Sequence, residues 1–241
     1  MNLKTVGLCI SVIVILASTT LAFAVTPGES LKKNFPNIPP IDNITPSNVS
    51  GLYEVIAGQQ VFYYAPDAEC IVVGQIVTKE GKNLTKEKQQ ELEQKRIAQK
   101  VKDIPLDKAV KIGKGKNQVI EITDPDCPYC RKAAEFFAGR KDVTKYVFLY
   151  PLDMHKQAEE KVRYILCAKD KAKAYEQAMT GKLDDMKFKV CKDAHVDTLL
   201  KAHKEVASQL GVTGTPFFII NGQPVVGADI PLIEKLLGSK D

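Results

Sequence analysis

The sequence predicts a protein of mixed α/β class with two folded units: a small α+β unit, then a larger α/β unit that carries a helical insertion. Three observations support this prediction. Short apolar runs separated by turn residues occupy residues 52–77. Residues 86–103 follow, contain no glycine or proline, and have the composition of a helix. After residue 118, strand-like and helix-like segments follow one another in the order β-α-β-helices-β-β-α.

The first 24 residues predict a cleaved signal for export. Lys4 is followed by an almost wholly apolar stretch, residues 8–16, and by the small-x-small cleavage site Ala22-Phe23-Ala24. The apolar stretch is too short for a stable transmembrane span, and a retained single-helix anchor is the alternative. We therefore expect a mature chain that begins at Val25 and resides in the periplasm.

Charge patterning argues against one class of partner. The full chain of 241 residues has 34 Lys and Arg residues against 29 Asp and Glu residues, a net charge of +5. These charges are mixed along the chain, and no basic stripe is interleaved with aromatic residues. Nucleic acid is therefore not an expected partner.

Five of the six cysteines lie after the predicted cleavage site. Cysteines of exported proteins usually pair, because the compartment is oxidising. Spacing suggests that Cys127 pairs with Cys130 in a CxxC motif, and that Cys167 pairs with Cys191, 24 residues later, in a structural disulfide. Cys70 is left over, and we expect it to be a buried strand cysteine, with an intermolecular disulfide as the alternative.

Residues 25–84 are predicted to form a small N-terminal domain. Residues 25–50 are rich in Pro and Asn and should hold at most a short helix, followed by a loop. Strands are expected at three apolar runs, residues 52–56, 60–64 and 70–77. Because a domain of about sixty residues has only a marginal core of its own, we expect it to associate with a second copy.

A linker helix is predicted at residues 85–106. Thr85 can serve as its N-cap, and Pro105 ends it. Its apolar stripe is thin, and a helix that is polar on nearly every side is typical of a connector exposed to solvent. This assignment leaves residues 107–241 for the second domain.

The second domain shows a regular succession of elements. Strands are expected at residues 119–123, 146–150, 215–220 and 225–227. Helices are expected from Pro128, over residues 156–209 with a break near Gly181, and near residues 231–237. An Asn-Gly pair between the last two strands predicts a hairpin turn. The order is that of a thioredoxin fold with a helical insertion at about residues 152–210.

The CxxC motif lies at a predicted strand-to-helix turn. There the first sulfur meets the unpaired N–H groups of the helix, which favour the thiolate, the reactive form. We therefore predict Cys127 as the nucleophile and Cys130 as the residue that resolves the mixed disulfide. The alternatives are half of a zinc site and a structural disulfide. Because a zinc site would lack a second CxxC and have only three histidines to draw on, no metal is expected, and no other cofactor.

Two distant features support a redox site. A cis-proline at Thr215-Pro216 would bring its loop against the cysteines and leave backbone groups free for an extended substrate; a trans turn proline is the alternative. Glu121 lies six residues before Cys127 on a predicted strand. Facing inward, it would be a buried carboxyl able to exchange a proton with the buried thiol, although alternation alone leaves an outward position equally open.

Several motifs together resemble the DsbC/DsbG family of periplasmic disulfide isomerases. Residues 167–171 (CAKDK) and 179–182 (MTGK) look like the insertion helices of DsbC, with its second cysteine pair. Residues 211–216 (GVTGTP) look like its cis-proline loop. Residues 124–130 (DPDCPYC) are more similar to DsbG, whose motif is also CPYC. Residues 80–84 (EGKNL) match the end of the family's dimerisation domain.

The resemblance implies a V-shaped homodimer joined by small cystatin-like domains, with two catalytic domains facing an open cleft. It also implies unfolded or misoxidised exported proteins as substrates, and a membrane reductase of the DsbD type that keeps Cys127 and Cys130 reduced. Glu121 resembles the buried acid of thioredoxin and of the oxidase DsbA. We expect a disulfide isomerase or reductase. The alternatives are a dithiol oxidase, a bifunctional oxidase and isomerase, or a DsbG-like reductase of sulfenylated cysteines with chaperone activity.

Overall fold

The structure is a computed structural model that describes residues 25–238. The predicted signal peptide, residues 1–24, lies outside the described residues. The chain divides into two compact units between Gly74 and Gln75. No helix in the described part of the chain is long and apolar enough to cross a bilayer. The domain limits at residues 84 and 106 stay predictions.

The first unit is a four-stranded antiparallel sheet packed on one helix. The helix α1 spans Pro27–Asn34. The strands β1 to β4 lie in sequence order in the sheet and span Asn43–Pro46, Tyr53–Ala57, Gln60–Ala65 and Cys70–Val72. Strand alternation turns Val55 and Phe62 toward the fully buried Leu31 of α1, so one face of the sheet and the helix share a core.

Two expectations for this unit are wrong. β1 lies in the stretch that was expected to hold only a short helix and loop, because its sequence, Asn-Ile-Thr-Pro, has too few apolar residues to show alternation. Cys70 is exposed rather than buried. It begins β4, a three-residue strand at the edge of the sheet, and edge strands of this length offer little cover to their side chains.

The second unit is a five-stranded mixed sheet with helices on both faces. The sheet order is β5-β7-β6-β8-β9, with β6 and β7 parallel and the other neighbours antiparallel. The strands β5 to β9 span Val110–Gly113, Asn117–Thr123, Val143–Leu149, Phe217–Ile220 and Gln223–Val226. The helices α2 to α7 span Leu84–Lys100, Pro128–Ala138, Ala158–Cys167, Lys171–Met179, Ala194–Leu210 and Ile230–Leu237. The predicted thioredoxin fold is confirmed, with β5 as an additional strand.

The central strand β6 packs against a different layer on each face. Ile120 and Ile122 pack with residues of α2 and α6. Val119 packs with residues of α3 and α7 on the opposite face. Because side chains alternate along a strand, Glu121 and Thr123 point to the same side as Val119, toward α3. The strand thus places a carboxyl group beneath the helix that carries the CxxC motif.

α2 differs from its prediction in two respects. Its N-cap is Asn83, whose side chain accepts a hydrogen bond from the Lys86 N–H (2.9 Å), and not Thr85. Thr85 is buried in the first turn, where its hydroxyl accepts a backbone N–H. Ile97 is fully buried beside Leu210 of α6. One well-placed apolar residue therefore anchors this helix, which is not exposed on every side.

The helical insertion consists of three helices. α4, α5 and α6 lie between β7 and β8, and a non-helical segment separates Met179 from Ala194. Cys167, the last residue of α4, is joined by a disulfide to Cys191, just before α6. Residues of these helices form a cluster with the CxxC cysteines, so the insertion contributes to the core around the motif.

Candidate redox site

The CxxC cysteines lie where β6 ends and α3 begins. Residues 124–126 turn the chain, Cys127 takes the N-cap position of α3, and Pro128 follows at the first helical position. Cys127 is 5% exposed, whereas Cys130 is 0% exposed. Cys127 is therefore the cysteine that a substrate can reach.

The surroundings of Cys127 favour its thiolate. The Cys130 thiol donates a hydrogen bond to it, and backbone N–H groups of Cys130 and Tyr129 point to the same sulfur. Together these donors lower the pKa of Cys127 to about 5, although burial acts in the opposite direction. At neutral pH the first cysteine is therefore the reactive anion.

The surroundings of Cys130 have the opposite effect. Burial raises the pKa of Cys130 far above its usual range, and its hydrogen bond to Cys127 adds to the shift. The Asp124 N–H lies 3.4 Å from the Cys130 Sγ and offsets a small part of it. Cys130 thus keeps its proton and needs a base before it can act as a nucleophile.

The loop between α6 and β8 comes directly against the first cysteine. The Thr215-Pro216 peptide bond is cis. In the thiol form, Cys127 Sγ donates to the Thr215 carbonyl oxygen at 3.4 Å. The Pro216 carbonyl accepts the Gly227 N–H of the following hairpin at 2.8 Å, which ties the loop to the sheet. The structure thus brings together two regions that lie 88 residues apart in sequence.

Glu121 is fully buried and has two partners that the sequence did not indicate. Its Oε2 accepts from Lys145 Nζ of β7 at 2.8 Å, and its Oε1 accepts from the Tyr175 hydroxyl of α5 at 2.9 Å. Lys145 Nζ also donates to the Tyr175 hydroxyl at 3.1 Å. Because these partners come from two other elements, no local pattern could have indicated them.

A group of opposite charges connects the motif to the insertion. Lys161 of α4 is 2% exposed and contacts both Asp126 and Asp184. Arg131 of α3 donates two hydrogen bonds to Asp184, at 2.7 and 2.8 Å. First Arg131 and then Lys161 hold the pKa of Asp184 at about 2. The positive charge beside Cys127 is thus matched by carboxylates.

Asp124 holds the turn before the motif. Its carboxylate is fully buried and accepts hydrogen bonds from the N–H groups of Asp126 (2.7 Å) and Leu152 (2.7 Å). Its Oδ2 also lies 2.8 Å from Nδ1 of His155. These bonds fix the residues on either side of Cys127, another arrangement that the sequence did not indicate.

The chemistry available at this site is thiol exchange. Among residues 25–238, no group of three or more His, Cys, Asp or Glu side chains is arranged to hold a metal ion. Cys167 and Cys191 are bonded to each other, whereas Cys127 and Cys130 are free thiols. A nucleophilic thiolate and a protonated partner thiol are the two groups that disulfide exchange requires.

Comparison with known families supports both units. Residues 104–229 match the thioredoxin-like domain family. Residues 21–86 match the N-terminal domain family of disulfide bond isomerase proteins. The first of these matches covers more than half of the chain, and the two together cover most of the described residues.

The curated relatives of this chain include thiol:disulfide interchange proteins. A probable thiol:disulfide interchange protein DsbC from Bordetella avium is 30% identical over 169 residues, which cover 69% of this chain and 57% of that protein. The thiol:disulfide interchange protein DsbC from Salmonella typhimurium is 29% identical over 199 residues, which cover 78% of this chain and 76% of that protein. The match thus spans less than two thirds of the Bordetella protein's length.

Two solved structures are also similar. A disulfide interchange protein from Neisseria gonorrhoeae has 30% identity and a TM-score of 0.47, covering 55% of this chain and 94% of its own. The thiol-disulfide exchange protein alpha-DsbA2 from Wolbachia pipientis has 16% identity and a TM-score of 0.52, covering 62% of this chain and 96% of its own. The second likeness supports the fold.

Proposed function

Because this chain belongs to the thioredoxin-like family and also carries the N-terminal domain of disulfide bond isomerase proteins, we propose that it is a periplasmic thiol:disulfide interchange enzyme. It acts on misoxidised exported proteins through Cys127 and Cys130. The observation that carries the proposal is the contrast between the two sulfurs. One is a reachable sulfur whose pKa is lowered to about 5, and the other is fully buried and keeps its proton.

Attack by Cys127 begins the reaction. Its thiolate displaces one sulfur of a substrate disulfide, so a mixed disulfide forms and the other substrate sulfur leaves as a thiolate. In isomerisation that substrate thiolate attacks a second substrate disulfide, and a substrate sulfur finally releases Cys127 with no net transfer of electrons. Backbone groups at Thr215-Pro216, beside Cys127, pair with the extended substrate.

Reduction follows the second route. Cys130 loses its proton to Glu121 and attacks Cys127 Sγ, which releases the substrate thiolate and forms the Cys127–Cys130 disulfide. Two electrons then have passed to the substrate. A membrane reductase of the DsbD type returns the pair to the dithiol by exchanging its own thiols for the Cys127–Cys130 disulfide.

We assign dimerisation to the first unit. β4 pairs with β3 on one side only and leaves a row of backbone groups at the edge of the sheet. The family match of residues 21–86 is to a domain of disulfide bond isomerase proteins. Deletion of residues 25–84 from the mature protein should therefore give a monomer by light scattering, and a dimer would contradict the assignment.

The activity test is the refolding of scrambled ribonuclease. The wild type, in a glutathione buffer, should restore ribonuclease activity faster than the buffer alone. Cys127→Ala should give the buffer rate, because the nucleophile is absent. A wild-type rate no higher than that of Cys127→Ala would refute disulfide isomerisation.

A second candidate function is dithiol oxidation. It is favoured by the lowered pKa of Cys127, because a stabilised thiolate stabilises the reduced form and makes the disulfide more oxidising. Thiol trapping in cells distinguishes the two functions. A mostly reduced Cys127–Cys130 pair supports an isomerase or reductase, whereas a mostly oxidised pair supports an oxidase.

A further inference from the structure

We propose that Tyr175, in helix α5 of the insertion, is a positioning residue that holds the Glu121 carboxylate in place to take the proton of Cys130. This inference rests on the thiol exchange proposed above. It assigns a part in the resolving step to a residue that lies 45 positions after Cys130 and outside every motif of the site.

The geometry is a closed ring of hydrogen bonds. The Tyr175 hydroxyl donates to Glu121 Oε1 (2.9 Å), while Lys145 Nζ donates to Glu121 Oε2 (2.8 Å) and to the Tyr175 hydroxyl (3.1 Å). Each carboxylate oxygen thus receives one of these donors and has further acceptor capacity. Because both oxygens are hydrogen-bonded, rotation of the carboxylate is restrained.

Tyr175 connects these hydrogen bonds to the cysteines. It is 4% exposed and belongs to the same buried cluster as Cys127 and Cys130. Burial, then the charge of Glu121, and also the charge of Cys130 raise the pKa of Tyr175 well above its usual value. The hydroxyl therefore keeps its proton at every pH where thiols exchange, and it remains a donor to Glu121.

The phenol ring and its hydroxyl have separable roles. Lys145 Nζ lies 4.7 Å from the centroid of the Tyr175 ring and 5.1 Å from that of Phe137. Tyr175→Phe keeps the first of these contacts and the packing of the ring, and removes only the oxygen. The variant therefore isolates the hydrogen bond to Glu121 from the contribution of Tyr175 to the core.

The affected step is the resolution of the mixed disulfide. Glu121 accepts the proton of the Cys130 thiol, and the Cys130 thiolate attacks Cys127 Sγ. The bond between Cys127 Sγ and the bound sulfur breaks, the released thiolate carries away the electron pair, and the Cys127–Cys130 disulfide forms. A carboxylate held by only Lys145 would be misaligned for part of the time, so this step would slow.

The experiment follows both steps with 5,5′-dithiobis(2-nitrobenzoate) in stopped flow, using the full mature chain with Cys70→Ser to remove the exposed thiol. The first coloured thiolate reports attack by Cys127, and the second reports resolution by Cys130. We expect Tyr175→Phe to slow the second release about 10-fold at neutral pH. The first release should not change.

Tyr164→Phe is the matched control. Tyr164 lies in α4 of the same insertion and packs against the same cluster, but its hydroxyl donates to Gln177 (3.3 Å). It should show the wild-type rates of both releases. An unchanged second release in Tyr175→Phe overturns the inference, and so does equal slowing in Tyr164→Phe, which would indicate a general loosening of the insertion. A wild type without any second release instead overturns the proposed thiol exchange itself.

A measurement on the wild type covers the case in which Tyr175→Phe does not fold. With tyrosine labelled by carbon-13 at Cζ, the Tyr175 signal should shift when Cys127 and Cys130 are oxidised, because the ring senses the charge and protonation of Cys130. The Tyr164 signal should stay in place. A Tyr175 signal that is the same in both redox states would overturn the inference.

Discussion

The first cysteines of the two pairs in the second unit lie at opposite kinds of helix end. Cys127 is the N-cap of α3, where backbone N–H groups stabilise a thiolate. Cys167 is the last residue of α4, where unpaired carbonyl groups disfavour one. Its disulfide to Cys191 spans 24 residues, and it joins α4 to the segment before α6.

From this difference we infer that the reactivity of a cysteine here depends on its position on the helix rather than on its having a partner. A short CxxC spacing places the second sulfur one helical turn from the first, where burial keeps it protonated. The disulfide between Cys167 and Cys191, which are farther apart in sequence, constrains the insertion that supplies Tyr175 to the redox site. We therefore propose that the first pair performs the exchange and that the second holds part of its surroundings.

The largest expected effect separates the two pairs by activity. Cys127→Ser should reduce the catalysed reduction of insulin by dithiothreitol to the uncatalysed rate, because no other thiol in the described chain has comparable stabilisation of its anion. The double variant Cys167→Ser with Cys191→Ser should keep most of the wild-type rate. A double variant as inactive as Cys127→Ser would contradict the division of roles.

The next effect concerns the pH dependence of stability. The pKa of Cys127 is lowered to about 5 by folding, so its contribution to stability is present above the unfolded value of 9.0 and is lost as pH falls toward 5. The free energy of unfolding of the reduced protein should therefore decrease as the pH falls from 8 to 5.

Urea unfolding of the reduced protein at several pH values measures this dependence. Cys127→Ala, studied in the same way, should show a much flatter profile, because the titrating group is gone. If the free energy of unfolding depended equally on pH in the two proteins, Cys127 would not be the source of the pH dependence.

A third effect concerns the structural pair. Replacing Cys167 and Cys191 together by serine should lower the free energy of unfolding by about 3 kcal/mol, because the unfolded chain regains the freedom of the closed loop. The thiolate absorbance of Cys127 at 240 nm should still titrate near pH 5. A large upward shift of that titration would mean that the insertion's disulfide also sets the reactivity of the first pair.

Local sequence patterns were sufficient to predict the two cysteine pairs and the strand that lies beneath the CxxC motif. The CxxC spacing, the proline after Cys127 and the apolar run around Glu121 are all short-range features, and each one predicted its element. The cysteine at residue 70 shows the limit, because its burial depends on the length of β4 and on its position in the sheet. Neither property can be read from the residues around it.

The partners of Glu121 could not be predicted from the sequence for a different reason. Lys145 lies 24 residues from Glu121, and Tyr175 lies 54 residues from it. In the sequence pattern, Lys145 looks like any residue of a strand and Tyr175 like any residue of an amphipathic helix. Lys161 is similar, because a lysine in a charged helix gives no sign that it is 2% exposed. These residues acquire a role only when the insertion folds back on the sheet, which is tertiary information.

The smallest expected effect is a pH dependence of stability that arises in the insertion. It can be measured when the CxxC pair is oxidised, because the two cysteines then no longer titrate. His203 of α6 is fully buried, its Nδ1 accepts the Leu149 N–H (2.9 Å), and its Nε2 donates to the Lys108 carbonyl (2.9 Å). This arrangement requires the neutral ring, and burial lowers the pKa of His203 below its usual 6.5. The unfolded chain takes up a proton below about pH 6.5 that the folded protein does not, so stability falls as the pH falls.

The free energy of unfolding of the oxidised protein, measured with urea, should therefore decrease as the pH falls from 7 to 5.5. His203→Gln should be less stable at pH 7 but should show less of this loss, because it has no ring to protonate. His195→Gln is the control, since His195 is exposed near the start of the same helix, and it should keep the wild-type slope. If the slope persisted in His203→Gln, the acid sensitivity of the oxidised protein would arise outside His203, and the buried ring would be a packing element only.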